Sequence, residues 1–326
     1  MDQMLDRLKI ELRLASAFFY DYARYRRFSF FSRQTSRGNR RAIIRIFIHY
    51  LEGGMVFPDV RLGYGQDKAK SVISKLRTYY GDFGVDETIG WAIATLDAYF
   101  SYHSERGFDL SALAADFQKL KAVVSLDAPA STGGAEPVTV AQIQAASMID
   151  FEAFMQHRHS VRQYAPGPVD DETITRIVRN AQQCPSVCNR QTCKVYAIND
   201  VERVQHALTF QAGNAGFRQE IQTVFVVTSN MSEMNLIGER YQGWIDGGIF
   251  AMTLALAIHA QGLGACFLNW SVEPQQDRAL REHLGIPDDE LVITMMSAGH
   301  LKDAFSVPVS HRKPIEDVLV LNPGLA

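Results

Sequence analysis

Two arginines and a serine alternate in Arg158-His159-Ser160-Val161-Arg162-Gln163-Tyr164. A guanidinium is a planar fork of donors that suits phosphate oxygens, and a hydroxyl adds another donor. On an extended segment alternate residues point the same way, so Arg158, Ser160 and Arg162 can converge on one phosphate. A solvated basic turn is the plainer alternative. A second cluster is Pro185-Ser186-Val187-Cys188-Asn189-Arg190-Gln191. Asn189 and Gln191, two apart, present amide donors and acceptors on one side of an extended chain. The edge of a flavin or a nucleobase is the natural partner, and a polar loop satisfying its own backbone is the alternative. The third cluster, Gly262 to Trp270 (GLGACFLNW), reads as a helix-to-strand turn ending in Asn269 and Trp270, types found where a planar ligand packs. The fourth, Ser310-His311-Arg312-Lys313-Pro314, offers a further basic group or a solvated run.

The elements that position these clusters follow from periodicity. A short helix over 150–157 precedes the first, and a helix over 171–183, with Ile174, Ile177, Val178 and Ala181 on one face, precedes the second. Strands are expected at 193–198, 223–228, 265–269 and 290–297, with helices at 244–261 and 273–284. The absence of Asp, Glu, Lys and Arg between Asp246 and Glu273 is long enough for a membrane span, but Gly262 and Gly264 make a helix followed by a buried strand the better reading. Before residue 150 the pattern is helical, over 68–80, over 86–102, and in a helix capped by Asp109 that carries Leu113, Phe117 and Leu120. Residues 126–140 (LDAPASTGGAEPVTV) have linker chemistry. The expected organisation is a helical region over 1–125, a linker over 126–149 and an α+β domain over 150–326.

Composition narrows the function. At 47% hydrophobic and 21% charged, the 326 residues can build a globular core without staples. A net charge of −3 lacks the basic surplus of a general nucleic-acid binder. Residues 22–51 nevertheless hold eight arginines and no acid, interleaved with aromatics. An anionic membrane surface or a glycan would suit that stretch, as would pairing with the acidic second half. Cys184, Cys188 and Cys193 lack common zinc spacing, so no metal site is expected. No apolar leader opens the chain, and free thiols in the cytoplasm are the expectation. His49 and Glu52 share a helix face, as a functional pair or a surface hydrogen bond.

The order and spacing of the four clusters resembles the FMN-dependent nitroreductase family over residues 150–320. The resemblance implies a three-layer fold with a central mixed sheet flanked by helices, preceded here by the helical N-terminal region. It implies that Arg158, His159, Ser160 and Arg162 hold the flavin phosphate and ribityl chain. It places Pro185, Ser186, Asn189 and Gln191 beside the ring, Leu268 and Asn269 near its N5 edge, and Arg312 on the phosphate. It further implies a homodimer with flavins at the interface, in which NADH or NADPH reduces FMN by hydride transfer to N5 and a small acceptor is reduced in turn. No catalytic side chain is required, because the chemistry is the cofactor's. Two positions depart from the pattern. Ser310 stands where relatives carry Lys or Arg, and Trp270 is bulky enough to narrow the space over the ring. The segment His49 to Gly54, with Pro58 to Gly65, resembles an extension on nitroreductase-like proteins of polysaccharide-biosynthesis clusters, which leaves a flavin- or ligand-binding partner protein as the alternative function.

Overall fold

A computed structural model describes residues 2–30, 35–57, 59–124 and 132–324. Five helices open the chain: α1 (Asp2–Phe28), α2 (Arg37–Met55), α3 (Gln66–Phe83), α4 (Glu87–Glu105) and α5 (Ser111–Val123). The caps are read directly from the sequence. Ser36 and Asn39 form a reciprocal capping box at α2, and Asp86 accepts from the Thr88 and Ile89 amides at α4. At α5 the residue in the cap position is Leu110, one beyond the expected Asp109, whose carboxylate still accepts from Ser111 N at 2.8 Å. Ile44, Ile48, Leu51 and Met55 of α2 meet Val72, Ile73 and Leu76 of α3 and Ile89, Ile93 and Leu96 of α4 in one apolar core. The 3.6-residue spacing of these side chains makes one continuous stripe on each helix.

The stretch expected as a linker holds α6 (Val140–Ala146), and residues 140–152 are exposed throughout. Thr139 and Gln142 make a second capping box there, which is why this polar segment coils. Residues 126–131 of that stretch, together with Phe31, Arg33 and Pro58, lie outside the described residues.

The remaining elements are α7 (Phe151–His157), α8 (Asp171–Ala181), β1 (Cys193–Ile198), α9 (Val201–Ala207), β2 (Thr223–Asn230), α10 (Gln242–His259), β3 (Gly264–Asn269), α11 (Pro274–Leu284) and β4 (Glu290–Gly299). Apart from α9, which was not expected, each falls within a few residues of its expected place. The strands form one sheet in the order β1-β2-β4-β3, and every pair of strands is antiparallel. The sheet is thus antiparallel where a mixed one was expected, and a parallel contact comes from an isolated bridge, Ser160 to Ala265, on the outer edge of β3. Alternation along β2 builds three layers. Phe225 and Val227 pack against Phe250, Leu254 and Ile258 of α10 and Ile177 of α8. Val224 and Val226 face the opposite way, toward Val204 of α9 and Leu280 of α11. Both faces of β2 and β4 are therefore covered, and their residues are nearly all buried.

The N-terminal helices are fastened to this body. Tyr20 Oη donates to Asp277 Oδ2 at 2.7 Å, and Arg24 donates to the Asp288 and Glu290 carbonyl oxygens. Asn39 Nδ2 donates to Ser232 O at 2.5 Å, and Phe30 N to Met234 O at 3.0 Å. Arg41 and Arg45 flank the buried Glu233 carboxylate. The arginine-rich stretch is thus largely paired within the fold: Arg24 with Asp277, Arg37 with Asp86, Arg40 with Asp82, and Arg41 and Arg45 with Glu233 and Glu87. Of the two readings of this stretch, these ion pairs support pairing within the chain and lend nothing to a polybasic face for a membrane or glycan, because these charges already meet carboxylates.

Candidate functional site

The first cluster runs along the edge of β3. Val161 N donates to Ala265 O at 2.9 Å, and the buried Tyr164 Oη donates to Val161 O at 2.8 Å. Gly264 is required here, since a Cβ on it would stand 2.9 Å from the Val161 side chain. With Val161 and Tyr164 rooted, His159 and Arg162 are exposed and Arg158 and Ser160 partly so. Arg162 donates to Ser160 O at 3.3 Å and lies over the Phe217 ring. At the end of α10, His259 bonds the Phe154 carbonyl oxygen at 3.0 Å. Burial lowers its pKa, and the nearby Arg158, His157 and His159 lower it further. The segment is a concentration of positive potential, suited to an anion.

The second cluster differs from the extended strand expected. Residues 187–189 form a single 3-10 turn, and Cys188, Asn189 and Gln191 take φ of 48°, 48° and 52°. Three non-glycine residues in the left-handed region within four positions store strain, which persists only where the surroundings enforce it. The enforcing residue is Arg190, fully buried between the two amides. It donates to Glu233 O at 2.6 Å and to both Glu239 carboxylate oxygens, at 3.0 and 2.6 Å. Burial opposes the charge on Glu239, but Arg190 and the Asn235 and Leu236 amides outweigh it and hold the carboxyl below its ordinary value. Ser186 Oγ accepts from Gln191 N at 2.9 Å, and Gln191 Nε2 donates to Asn189 Oδ1 at 3.1 Å. The two carboxamides are therefore side by side and exposed, by a different backbone route from the one expected. Pro185, Ser186 and Gln191 also border a cleft of about 60 Å³ closed by Asp246 and Phe250. Arg190 was missed as a functional residue, although it stands between Asn189 and Gln191, where only a buried anchor lets both neighbours face outward.

At the end of β3, Leu268 is buried and Asn269 exposed, with Asn269 O accepting from Gln211 Nε2 at 3.1 Å. Trp270 corrects the expectation made of it. Its ring is in the core and its Nε1 donates to Asp277 Oδ1 at 2.9 Å, away from any ligand space. Arg312 lies in an exposed run over 308–324, where its guanidinium donates to Ser310 O.

The sheet shows which of these residues meet. Ser160 bridges the outer edge of β3 at the level of Ala298 in β4. Thr192, next to Gln191, leads into β1 on the opposite edge, at the level of Glu290. The two clusters occupy diagonal corners of the sheet, on the order of 30 Å apart at ordinary strand spacing and rise. One copy of the chain does not bring them together.

Comparison with known proteins bears on this arrangement. Residues 155–213 and 203–300 match the sequence profile described as the Nitroreductase family. A protein of Archaeoglobus fulgidus, provisionally named an NADH dehydrogenase/NAD(P)H nitroreductase, is 27% identical over 150 residues, which is 45% of this chain and 82% of that protein. A provisionally named nitroreductase from Desulfovibrio desulfuricans, solved in complex with FMN, is similar at 22% identity and a TM-score of 0.46, over 55% of this chain and 100% of that one. An FMN-dependent nitroreductase of Clostridium difficile is similar at 20% identity and a TM-score of 0.45, over 52% and 98%. Over residues 155–300, this chain is similar to the nitroreductase family.

Proposed function

We propose that this chain is an FMN-dependent NAD(P)H oxidoreductase that works as a homodimer. The observation that carries the reading is the strained Val187–Gln191 loop, which holds two carboxamides outward in a chain similar to the nitroreductase family. The donor sets fit FMN. Arg158, Ser160 and Arg162 suit a phosphate dianion, and Asn189 with Gln191 suits the alternating donors and acceptors of a flavin edge. Because these sets lie at diagonal corners, the fit calls for the first set from one copy and the second from its partner. Apolar surface supports the pairing. Trp244, Ile245 and Ile249 of α10 are exposed, as are Ile315, Val318, Leu319, Val320 and Leu321 of the terminal run.

When bound, FMN supplies two-electron chemistry, taken from NADH or NADPH and delivered to a small acceptor in separate half-reactions. The chain's own residues do the rest. Arg158 and Arg162 neutralise the phosphate, with His159 and Arg312 adding positive charge beside it. Ser186 fixes the loop through Gln191 N. Pro185, Leu268 and Asn269 would border the ring. Trp270, committed to Asp277, leaves the space over the ring open, which removes one ground for a non-catalytic binding protein. We place the enzyme in the cytoplasm, in keeping with four free thiols.

The visible spectrum of the purified protein tests the reading. Flavin bands that bleach when NADH or NADPH is added without oxygen are expected. A protein that takes up no FMN on incubation overturns it.

A further inference from the structure

A cavity of about 190 Å³ lies between the N-terminal helices and the Val187–Gln191 loop. Helix α2 contributes Arg45, Ile48, His49 and Glu52, spaced three to four residues apart on one face. Helix α4 contributes Trp91 and Thr95, one turn apart. Asn189 and Gln191 form the opposite wall. Gly133 closes one side by lying against α4, where a Cβ would stand 2.4 Å from the Ala94 carbonyl carbon and the Thr95 nitrogen.

Three features mark this as a built site. The Glu52 carboxylate is held in place, because Oε1 accepts from the fully buried Thr95 Oγ1 at 2.9 Å. Arg45 is 5% exposed, and its buried Nε has no hydrogen-bond partner among the described residues. Its guanidinium brings positive charge to that wall, while the Nε itself is enclosed by protein. The wall opposite carries the backbone strain at Asn189 and Gln191.

The chemistry of the wall defines the ligand. His49 and the two carboxamides donate, while Glu52 and the carboxamide oxygens accept. Ile48 and Trp91 supply the apolar portion. The volume is that of about six waters, or one six-membered ring with small substituents. A fixed carboxylate disfavours an anion. We infer that this cavity is a ligand site for a neutral ring-sized molecule that carries both a carbonyl or carboxamide oxygen and a hydroxyl or amine donor. The cavity also gives the N-terminal region a role, since α2 and α4 build the wall that selects what reaches the loop.

Isothermal titration calorimetry of the purified full-length protein tests this, with 3-hydroxybenzamide as the probe and benzoate, which lacks the donor and carries a charge, as the comparison. The same titrations on His49→Ala and Glu52→Gln read the wall. His49 is exposed and glutamine is isosteric with glutamate, so both variants keep the fold, and their melting temperatures check it. The expected result is binding of 3-hydroxybenzamide and not benzoate, weakened about tenfold or more in each variant, the size of a lost charge-assisted hydrogen bond. Flavin content and bleaching by NADPH stay at parental levels. No heat from 3-hydroxybenzamide at millimolar concentration, or equal binding by parent and both variants, overturns the site. A protein without flavin bands overturns the oxidoreductase reading instead, and the heats then decide the cavity alone as a ligand site.

Discussion

Arg45 Nη1 donates to the carbonyl oxygen of Arg190 at 2.7 Å. Both guanidiniums are buried, and the bond joins residues 145 apart in sequence. Arg45 also donates to Glu87 Oε1 at 2.8 Å and lies over the Trp91 ring, 4.6 Å from its centroid. Arg190 continues the chain of contacts to Glu233 and Glu239. The strained loop is thus held from below by its own body and from above by the N-terminal helices.

Replacing Arg45 with Met removes that upper hold. It leaves Glu233 with Arg41 as its remaining α2 partner, and burial already raises the Glu233 carboxyl above its ordinary value against the pull of both arginines. Urea unfolding is expected to show a loss of about 3 kcal/mol, the cost of breaking a buried pair from one side. Arg40→Ala is the contrast. Its partner Asp82 is exposed, and the loss there is expected to stay below about 1 kcal/mol.

Glu239 makes the lower hold sensitive to acid. Its folded-state pKa lies below the ordinary value, so as pH falls the unfolded chain takes up the proton first. The stabilisation is complete above about pH 4.3, the ordinary glutamate value, and is lost as pH drops through the folded-state value. Glu239→Gln keeps an acceptor for Arg190 but not the charge. At pH 7 it is expected to be less stable than the parent by about 2 kcal/mol, the difference made by charging a hydrogen bond. The gap closes below about pH 4. Chemical denaturation across the acid-to-neutral range measures it, and a gap independent of pH contradicts the assignment.

The body of the fold was legible because its strands and helices carry clean periods. Phe225 and Val227 against Val224 and Val226 is an alternation any reading of 223–228 finds, and Ile174, Ile177 and Val178 mark α8 as plainly. The loop at Val187–Gln191 stands out by its residue types, but its backbone is not legible, because positive φ has no local sequence signal at Cys188 and Gln191 and only the general tolerance of asparagine at Asn189. It is imposed by Arg190, whose partners Glu233 and Glu239 are more than forty residues away. Trp270 misleads for a similar reason. Its neighbours in sequence suggest a ligand wall, but its bonding partner is Asp277 on the next helix. His49 and Glu52 share a face by their spacing alone, and what faces them is visible only once the loop is placed.

Gly133 offers a test of how tightly the linker is bound. Gly133→Ala puts a methyl group 2.4 Å from backbone atoms of Ala94 and Thr95, which have no side-chain freedom to yield. A loss of about 1–3 kcal/mol is expected, as for overpacking of a core. Gly53→Ala in α2 meets nothing within 4 Å and is expected to gain about 0.5–1 kcal/mol from helix propensity. Equal thermal shifts in the two variants would mean that residues 132–134 do not rest on α4 in solution.

A site shared between copies makes a prediction that a site within one copy does not. Arg158→Ala disables the phosphate segment, and Asn189→Ala disables the loop at the far corner of the sheet. Each homodimer then has two damaged sites, and each is expected to lose flavin retention or turnover. When the two variants are unfolded together, refolded and mixed, a heterodimer carries one site with both lesions and one with neither. Random pairing makes about half of the dimers mixed, so about a quarter of all sites become intact. Flavin-dependent NADPH oxidation is expected to recover to roughly that fraction of the parental rate. If the two segments served one site within a chain, every site would keep a lesion and mixing would restore nothing. Sedimentation of the refolded mixture as a dimer ensures that a null result is read against the shared site and not against assembly.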